Sequence, residues 1–263
     1  MSNQISIIIP ILNEEETIGK LIHHLLDYSS AKNVSEIIIM DGGSTDGSKA
    51  IVNSFISEVS QLQSHQSKNA VSHNAELHFI EDRPDVKSRI RFIASQKGRA
   101  KQMNAGAKIA NANILYFLHA DSFPPKKFDQ HIIDEVEKGN KAGCFRMQFD
   151  SGHWWLRLAS WLTQFRWRAC RGGDQSQFIT RQLFDEIGGY DERFTIYEDN
   201  MLINELFARK QFVVINKKLK TSSRRYRKHG IWKLQYHFWV IYAKKWFGAD
   251  AQTLLAYYQK HIY

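Results

Sequence analysis

The sequence predicts an α/β fold: a mostly parallel, doubly wound sheet with helices on both faces. The reading rests on three features. Short β-branched apolar runs recur, as in Ile5 to Ile11 and Glu36 to Met40. Helical patterns separate them. Polar clusters, one of them glycine-rich, follow the runs at the strand ends where such sheets bind ligands.

Taken in order, Ile5 to Ile11 (ISIIIPI) is the pattern of a strand buried on both faces. After Asn13 to Thr17, residues Ile18, Leu21, Ile22, Leu25 and Leu26 repeat at helical spacing. Glu36 to Met40 (EIIIM) is a second buried strand, ending at Asp41-Gly-Gly-Ser-Thr-Asp-Gly47, with a helix beginning near Ser48. Residues 57 to 75 lack periodicity and read as a helix tail and exposed loop. Leu77 to Ile80 reads as a third short strand, Gly98 to Ala112 as a glycine-entered helix, and Ile114 to Leu118 as a fourth buried strand. That strand runs into His119-Ala-Asp121 and a Pro124-Pro125 break. Lys126 to Lys138 is again helical, and Cys144 to Phe149 is strand-like.

At 263 residues the chain is long enough for one large domain or two small ones. It has no run of about 18 uncharged apolar residues, so no membrane-spanning helix is expected. Met1 to Ile11 reads as a buried strand rather than a secretory leader. Cys144 and Cys170 form no CxxC pair, which suits a reducing compartment, and a cytoplasmic location is expected. The net charge of +9 sits mostly in the second half and suits polyanionic partners: nucleic acid, an anionic membrane face or phosphorylated small molecules.

Four polar clusters at element ends carry candidate chemistry, each beside a plainer reading. Asn13 and Glu14 after Pro10 either face a ligand or cap the next helix. In the 41–47 loop, Asp41 can accept hydrogen bonds from a base or ribose, whereas Asp46 is explained as well by helix capping. Asp121 is a hard ligand for Mg²⁺ or Mn²⁺ provided a diphosphate supplies further oxygens; the alternative is a solvated turn. Glu198 and Asp199 either stabilise a helix N-terminus or furnish a general base beside a reacting hydroxyl.

The ordered set PxxNE, DGGSTDG, GRAKQMNAGA, LHAD, GDQ, GGYDE and YED resembles the family-two glycosyltransferases, which have the GT-A fold. The resemblance runs from Ile5 to about Lys228, and GRAKQMNAGA with LHAD is similar to a bacterial subgroup. It implies a GT-A domain over 1–230, with a nucleotide-binding half (1–121) and an acceptor half (122–230), followed by an amphipathic helical extension (231–263). It implies metal-assisted transfer with inversion from a nucleotide-sugar donor, usually UDP-linked, to a hydroxyl acceptor of unknown identity, lipid or small molecule. By the same resemblance Pro10, Asn13 and Glu14 border the nucleotide pocket, and Asp41 binds the base with Ser44 and Asp46 nearby. Arg99 and Asn104 approach the ribose or diphosphate. Asp121 matches the last acid of the DxD motif and holds Mn²⁺ or Mg²⁺, while His119 stands where the first acid would be. Asp199 is the implied general base, with Glu198 as second candidate. Asp174 and Gln175 are implied at the donor sugar or acceptor, Arg224 and Arg225 as a diphosphate clamp, and His229 in the metal shell. A solvated basic loop explains those last three equally well.

Two aromatic, basic stretches complete the chain, His153 to Arg171 and Ile231 to Phe247. Helices of this composition can lie in a bilayer interface, on the inner face of the membrane here. The favoured reading has them cover the acceptor half and pack on each other. A sugar-nucleotide pyrophosphorylase is disfavoured, because Asn13-Glu-Glu-Glu16 would repel a triphosphate where that class has a glycine-rich loop. A dehydrogenase lacks its GxGxxG. The non-enzymatic alternative is a degenerate GT-A fold binding nucleotide-sugar or a polyanion; nucleic acid is not expected, because the basic residues form no recognised module.

Overall fold

A computed structural model of the chain describes residues 3–57, 89–172 and 175–262. The expected strand Leu77 to Ile80, nearly all of the expected 57–75 loop, and Asp174 lie outside the described residues.

The elements are β1 (Ile5–Ile11), α1 (Ile18–Tyr28), β2 (Val34–Asp41), α2 (48–57 among the described residues), β3 (Ile90–Ala94) and α3 (Arg99–Ile109). Then come β4 (Ile114–Phe117), β5 (Ser122–Phe123), α4 (Phe128–Glu137), β6 (Ala142–Phe149), α5 (Trp154–Leu162), β7 (Gln177–Thr180) and α6 (Arg181–Ile187). The chain continues through α7 (Glu198–Ala208), β8 (Val213–Thr221), α8 (Arg224–His229), α9 (Ile231–Trp246) and α10 (Ala251–His261). The described strands form one sheet in the order β3-β2-β1-β4-β7-β6-β8-β5. Pairing is parallel from β3 through β4, antiparallel at β4–β7, β7–β6 and β8–β5, and parallel at β6–β8.

The two-sided burial expected of β1 and β2 is observed, and it sorts the helices into two layers. Ile7, Ile9, Ile37 and Ile39 point into a core with α1, α2 and α4, through Leu21, Leu25, Val52, Phe55 and Phe128. Ile8, Ile38 and Met40 point the other way, into a core with α3, α6 and α7, through Met103, Leu183, Leu202 and Leu206. Fully burying each such side chain contributes about 1.5–3 kcal/mol. On the second face α3 lies close to the sheet because Gly106 has no side chain: a Cβ there would sit 2.5 Å from Ile8 Cγ2. The sequence therefore produces the three-layer α/β/α arrangement it predicts, with antiparallel β7 and short β5 added in the second half.

Successive strands move outward from β1 to β2 to β3, and the chain then returns to place β4 on the other side of β1. That reversal is the switch point at which open α/β sheets bind ligands. The β1–β4 ladder stops at the Ile8–Phe117 pair. Ile5 and Ile11 bond toward the β2 side, while Ile8 accepts from Leu118 beyond β4. Alternation thus aims Pro10 toward the side where β4 has already parted, so its missing N–H leaves no ladder bond unmade. The crevice opens there.

Candidate active site

On one wall, the β1 and β2 loops are knitted together. Asn13, in a left-handed conformation at φ 56°, accepts from the Thr45 amide at 2.8 Å and donates its own amide to Ser44 Oγ at 2.9 Å. Asp46 accepts from the amides of Glu15 and Ser48, at 3.0 Å each. Burial acts against the Asp46 charge, but the hydrogen bonds from Ser48 and Glu15 outweigh it and lower its pKa. Buried Asp41 accepts from the Ser44 hydroxyl at 2.5 Å and from the Ser44 amide at 3.0 Å. Beneath them lies Gln102 of α3, a residue that sequence reasoning missed. It is buried and donates to the carbonyls of Ile11 (2.8 Å) and Met40 (2.6 Å), joining the ends of the two strands. A polar residue on the sheet-facing side of α3, one turn after Arg99, was the available signal.

The opposite wall is ionic. Glu198 and Asp199 form the first turn of α7, and Tyr197, at φ 72°, precedes them. The helix N-terminus favours acids there. Arg99, at the start of α3, reaches both: 3.1 Å to Glu198 Oε1 and 3.5 Å to Asp199 Oδ2. His119 Nε2 lies 3.9 Å from the same Asp199 oxygen. Burial, then the charges of Arg99 and Arg225, push the His119 pKa down to about 3, so the imidazole is neutral at physiological pH. Tyr190 closes this wall from the turn that follows α6, directly after Gly188 and Gly189. Its hydroxyl is buried without a hydrogen-bond partner among the described residues, and burial followed by the Asp199 and Glu198 charges raises its pKa. A small cavity of about 10 Å³, roughly one water, lies among Phe117, His119, Ser176, Tyr190 and Asp199.

Asp121 stands just before β5, half-buried, and its carbonyl accepts from the Ser222 amide at 3.2 Å. This bond brings it beside the basic segment. Arg224 crosses the crevice mouth to the Glu14 carboxylate, 3.1 Å to each oxygen. A more open cleft of about 370 Å³ is lined by Asn13, Glu15, Glu16, Thr45, Asp46 and Arg224. Arg225 is held elsewhere: it donates to the Tyr258 hydroxyl at 2.6 Å and lies over the Phe238 and Tyr258 rings. His229 ends α8; desolvation, then Lys228, Arg225 and Lys233, lower its pKa.

Two expected site residues are occupied structurally. Asn104 bonds the Tyr190 amide and carbonyl, at 2.9 Å each, and Glu192 at 2.9 Å. It positions the Gly188–Glu192 loop and thereby Tyr190. Gln175 is buried, accepting from Arg171 at 2.6 Å and donating to the Cys170 carbonyl at 2.6 Å. In both, the amide oxygen accepts and the amide nitrogen donates within the protein, so donor and acceptor are each satisfied there.

Among the described residues no three His, Cys, Asp or Glu side chains come together as a metal cage. A single carboxylate, Asp121, suits a divalent ion that takes its remaining ligands from diphosphate oxygens and water.

The model of glycosyl transferase family 2 matches residues 6–71 and 72–199. Glycosyltransferase AglE of Haloferax volcanii is 27% identical over 132 residues, half of this chain, and the chain spans 35% of AglE. Among solved structures, the mannosyltransferase PcManGT of Pyrobaculum calidifontis, in complex with GDP-Man and Mn²⁺, superposes with a TM-score of 0.63 at 14% identity. That match covers 95% of this chain and 66% of PcManGT. TarS 1–349 of S. aureus, in complex with UDP-GlcNAc, gives 0.59 at 13% identity over 84% of this chain and 58% of its own length. At these identities the structural matches speak to the fold, which is GT-A. With three quarters of its length matched by the family model, the chain belongs to glycosyl transferase family 2.

Proposed function

We propose that the protein transfers a sugar from a nucleoside diphosphate sugar to an acceptor hydroxyl, with inversion, using Asp199 as general base. The observation that carries the reading is the meeting of Arg99, His119, Glu198 and Asp199 beside the strand ends of the switch point. In this reading the β1–β2 wall receives the nucleoside, with Asp41 at the base and Asn13, Ser44 and Asp46 holding the loop. UDP is the favoured nucleotide. Structural neighbours hold UDP-GlcNAc in one case and GDP-Man with Mn²⁺ in another, which supports a nucleotide-sugar donor and a divalent ion.

Asp199 accepts the acceptor's O–H proton as that oxygen bonds to the anomeric carbon. The bond from that carbon to the diphosphate breaks on the opposite face, and the nucleoside diphosphate leaves with the electron pair. Neutral His119 adds no positive charge beside Asp199. Arg99 orients the acid pair and balances the two buried negative charges. Asp121 would hold Mn²⁺ or Mg²⁺, which supplies positive charge to the leaving diphosphate. Arg224 is positioned to release Glu14 and take a diphosphate oxygen pair in its place.

The test is a panel of nucleotide sugars with Mn²⁺ or Mg²⁺, scored for release of nucleoside diphosphate in the presence of candidate hydroxyl acceptors. Turnover by wild type with one donor, absent in Asp199→Asn while donor binding persists, is expected. Full turnover by Asp199→Asn would remove the proposed base.

A further inference from the structure

All seven tryptophans of the chain lie in two segments, 153–171 and 222–249. None belongs to the α/β core. The same segments hold 11 Lys and Arg and no Asp or Glu, leaving 25 Lys and Arg against all 27 Asp and Glu elsewhere. The protein's positive excess is therefore confined to its aromatic part.

The structure brings the two segments together. Trp232 of α9 lies 5.7 Å from Trp154 and 5.4 Å from Trp155 of α5, and Trp155 also meets Trp239 at 5.8 Å. The expected packing of these helices on each other is thus present, yet it leaves a second apolar face uncovered. Leu234 and Ile241 face inward on α9. Trp232, Tyr236, Trp239 and Trp246 recur at spacings of three, four and seven on the other side. Trp232 and Trp239 are each 50% exposed, Tyr236 58%, and Trp246 and Phe247 88% and 89%. On α5, Trp154 and Trp161 continue the stripe at 60% and 51%. Exposed Arg157 lies along α5 among them, and exposed Lys233 stands beside Trp232.

We infer that this face docks the protein on an anionic lipid membrane surface, with the aromatic rings at headgroup level and the basic residues on the lipid phosphates. Aromatic rings with a polar edge favour the bilayer interface, and basic side chains add attraction to anionic lipid. The absence of acids from both segments selects an anionic partner over a neutral protein surface. No helix among the described residues is long and apolar enough to cross a membrane, so the contact is interfacial. Tyr242 links the face to the site, 5.4 Å from Tyr197, the residue preceding Glu198 and Asp199. Under the transferase reading, this opens the acid pair beside the bilayer. The docking itself does not depend on that reading.

Flotation of the full chain with vesicles tests it without any donor or acceptor. Vesicles of phosphatidylcholine with phosphatidylglycerol should carry wild type upward at low salt, and vesicles of phosphatidylcholine alone should carry much less. Raising salt from about 0.05 M to about 0.5 M should weaken the anionic binding. Trp246→Ser with Phe247→Ser changes two rings that are almost fully exposed, so thermal unfolding should stay unchanged while the partition coefficient falls by about tenfold or more. No flotation at low salt, equal flotation of the double variant, or equal binding to both vesicle types would overturn the inference. So would an oligonucleotide that binds where vesicles do not, or a wild-type dimer that the double variant dissolves without any vesicle binding.

Discussion

On the β1–β2 wall, Asn13, Ser44, Asp46 and Gln102 are tied by hydrogen bonds that run almost entirely to backbone amides and carbonyls. Across the crevice, on the α3–α7 wall, Arg99 meets Glu198 and Asp199 through charge, at 3.1 and 3.5 Å, with neutral His119 at 3.9 Å from Asp199. The first wall is rigid because each bond fixes main chain. The second keeps buried carboxylates in a setting where water is scarce and charge acts strongly. A donor needs a preformed cradle, whereas a base needs an acid that is held without being neutralised. Under the proposed function, recognition falls to the first wall and chemistry to the second.

The largest effect expected is on the ionic wall. Asp199→Asn keeps the shape and removes the base, and kcat should fall by about 10²–10⁴, with donor affinity unchanged in a titration. A matching loss of donor affinity would break the division between walls. Arg99→Ala leaves Glu198 and Asp199 without their shared cation. Urea unfolding should show a loss of about 1–3 kcal/mol, below the range for a fully enclosed pair because Arg99 is 40% exposed. Gln102→Ala strips donors from two buried carbonyls, costing about 1–2 kcal/mol. It should also weaken nucleotide binding, since the β1 and β2 ends lose their tie; stability loss with intact binding would contradict the cradle. Tyr190→Phe should be smallest, within about 1 kcal/mol of wild type or slightly stabilising, because the hydroxyl has no partner among the described residues.

The same contrast explains what the sequence could disclose. The β1–β2 wall is local: each loop directly follows a continuous apolar strand, so Asn13 and the 41–47 loop could be placed from pattern alone. Arg99 and Asp199 are 100 residues apart, and only folding reveals their contact. Gln102 sits in a helix whose polar and small residues give little amphipathic pattern, which concealed its inward face. Asn104 and Gln175 were legible as special positions, but their partners, the Tyr190 backbone and Glu192 for one and Arg171 and the Cys170 carbonyl for the other, are contacts that no motif displays. Among strands, β7 has four residues, β5 has two, and β8 carries exposed Asn216, Lys217 and Lys218; none presents the apolar run that betrayed β1 and β2. β3 was hidden by the arginines beside and within it, Arg89 and Arg91. The aromatic helices were legible as helices, whereas their uncovered face appeared only once their packing was known.

Calorimetric titration of UDP, GDP and UDP-sugars, with and without Mn²⁺, on wild type and Asp121→Ala tests the donor site most directly. The account predicts binding of one nucleotide that strengthens with Mn²⁺ and loses that strengthening in Asp121→Ala. Absence of binding by every nucleotide, or Mn²⁺-dependent binding that is identical in the variant, would contradict it.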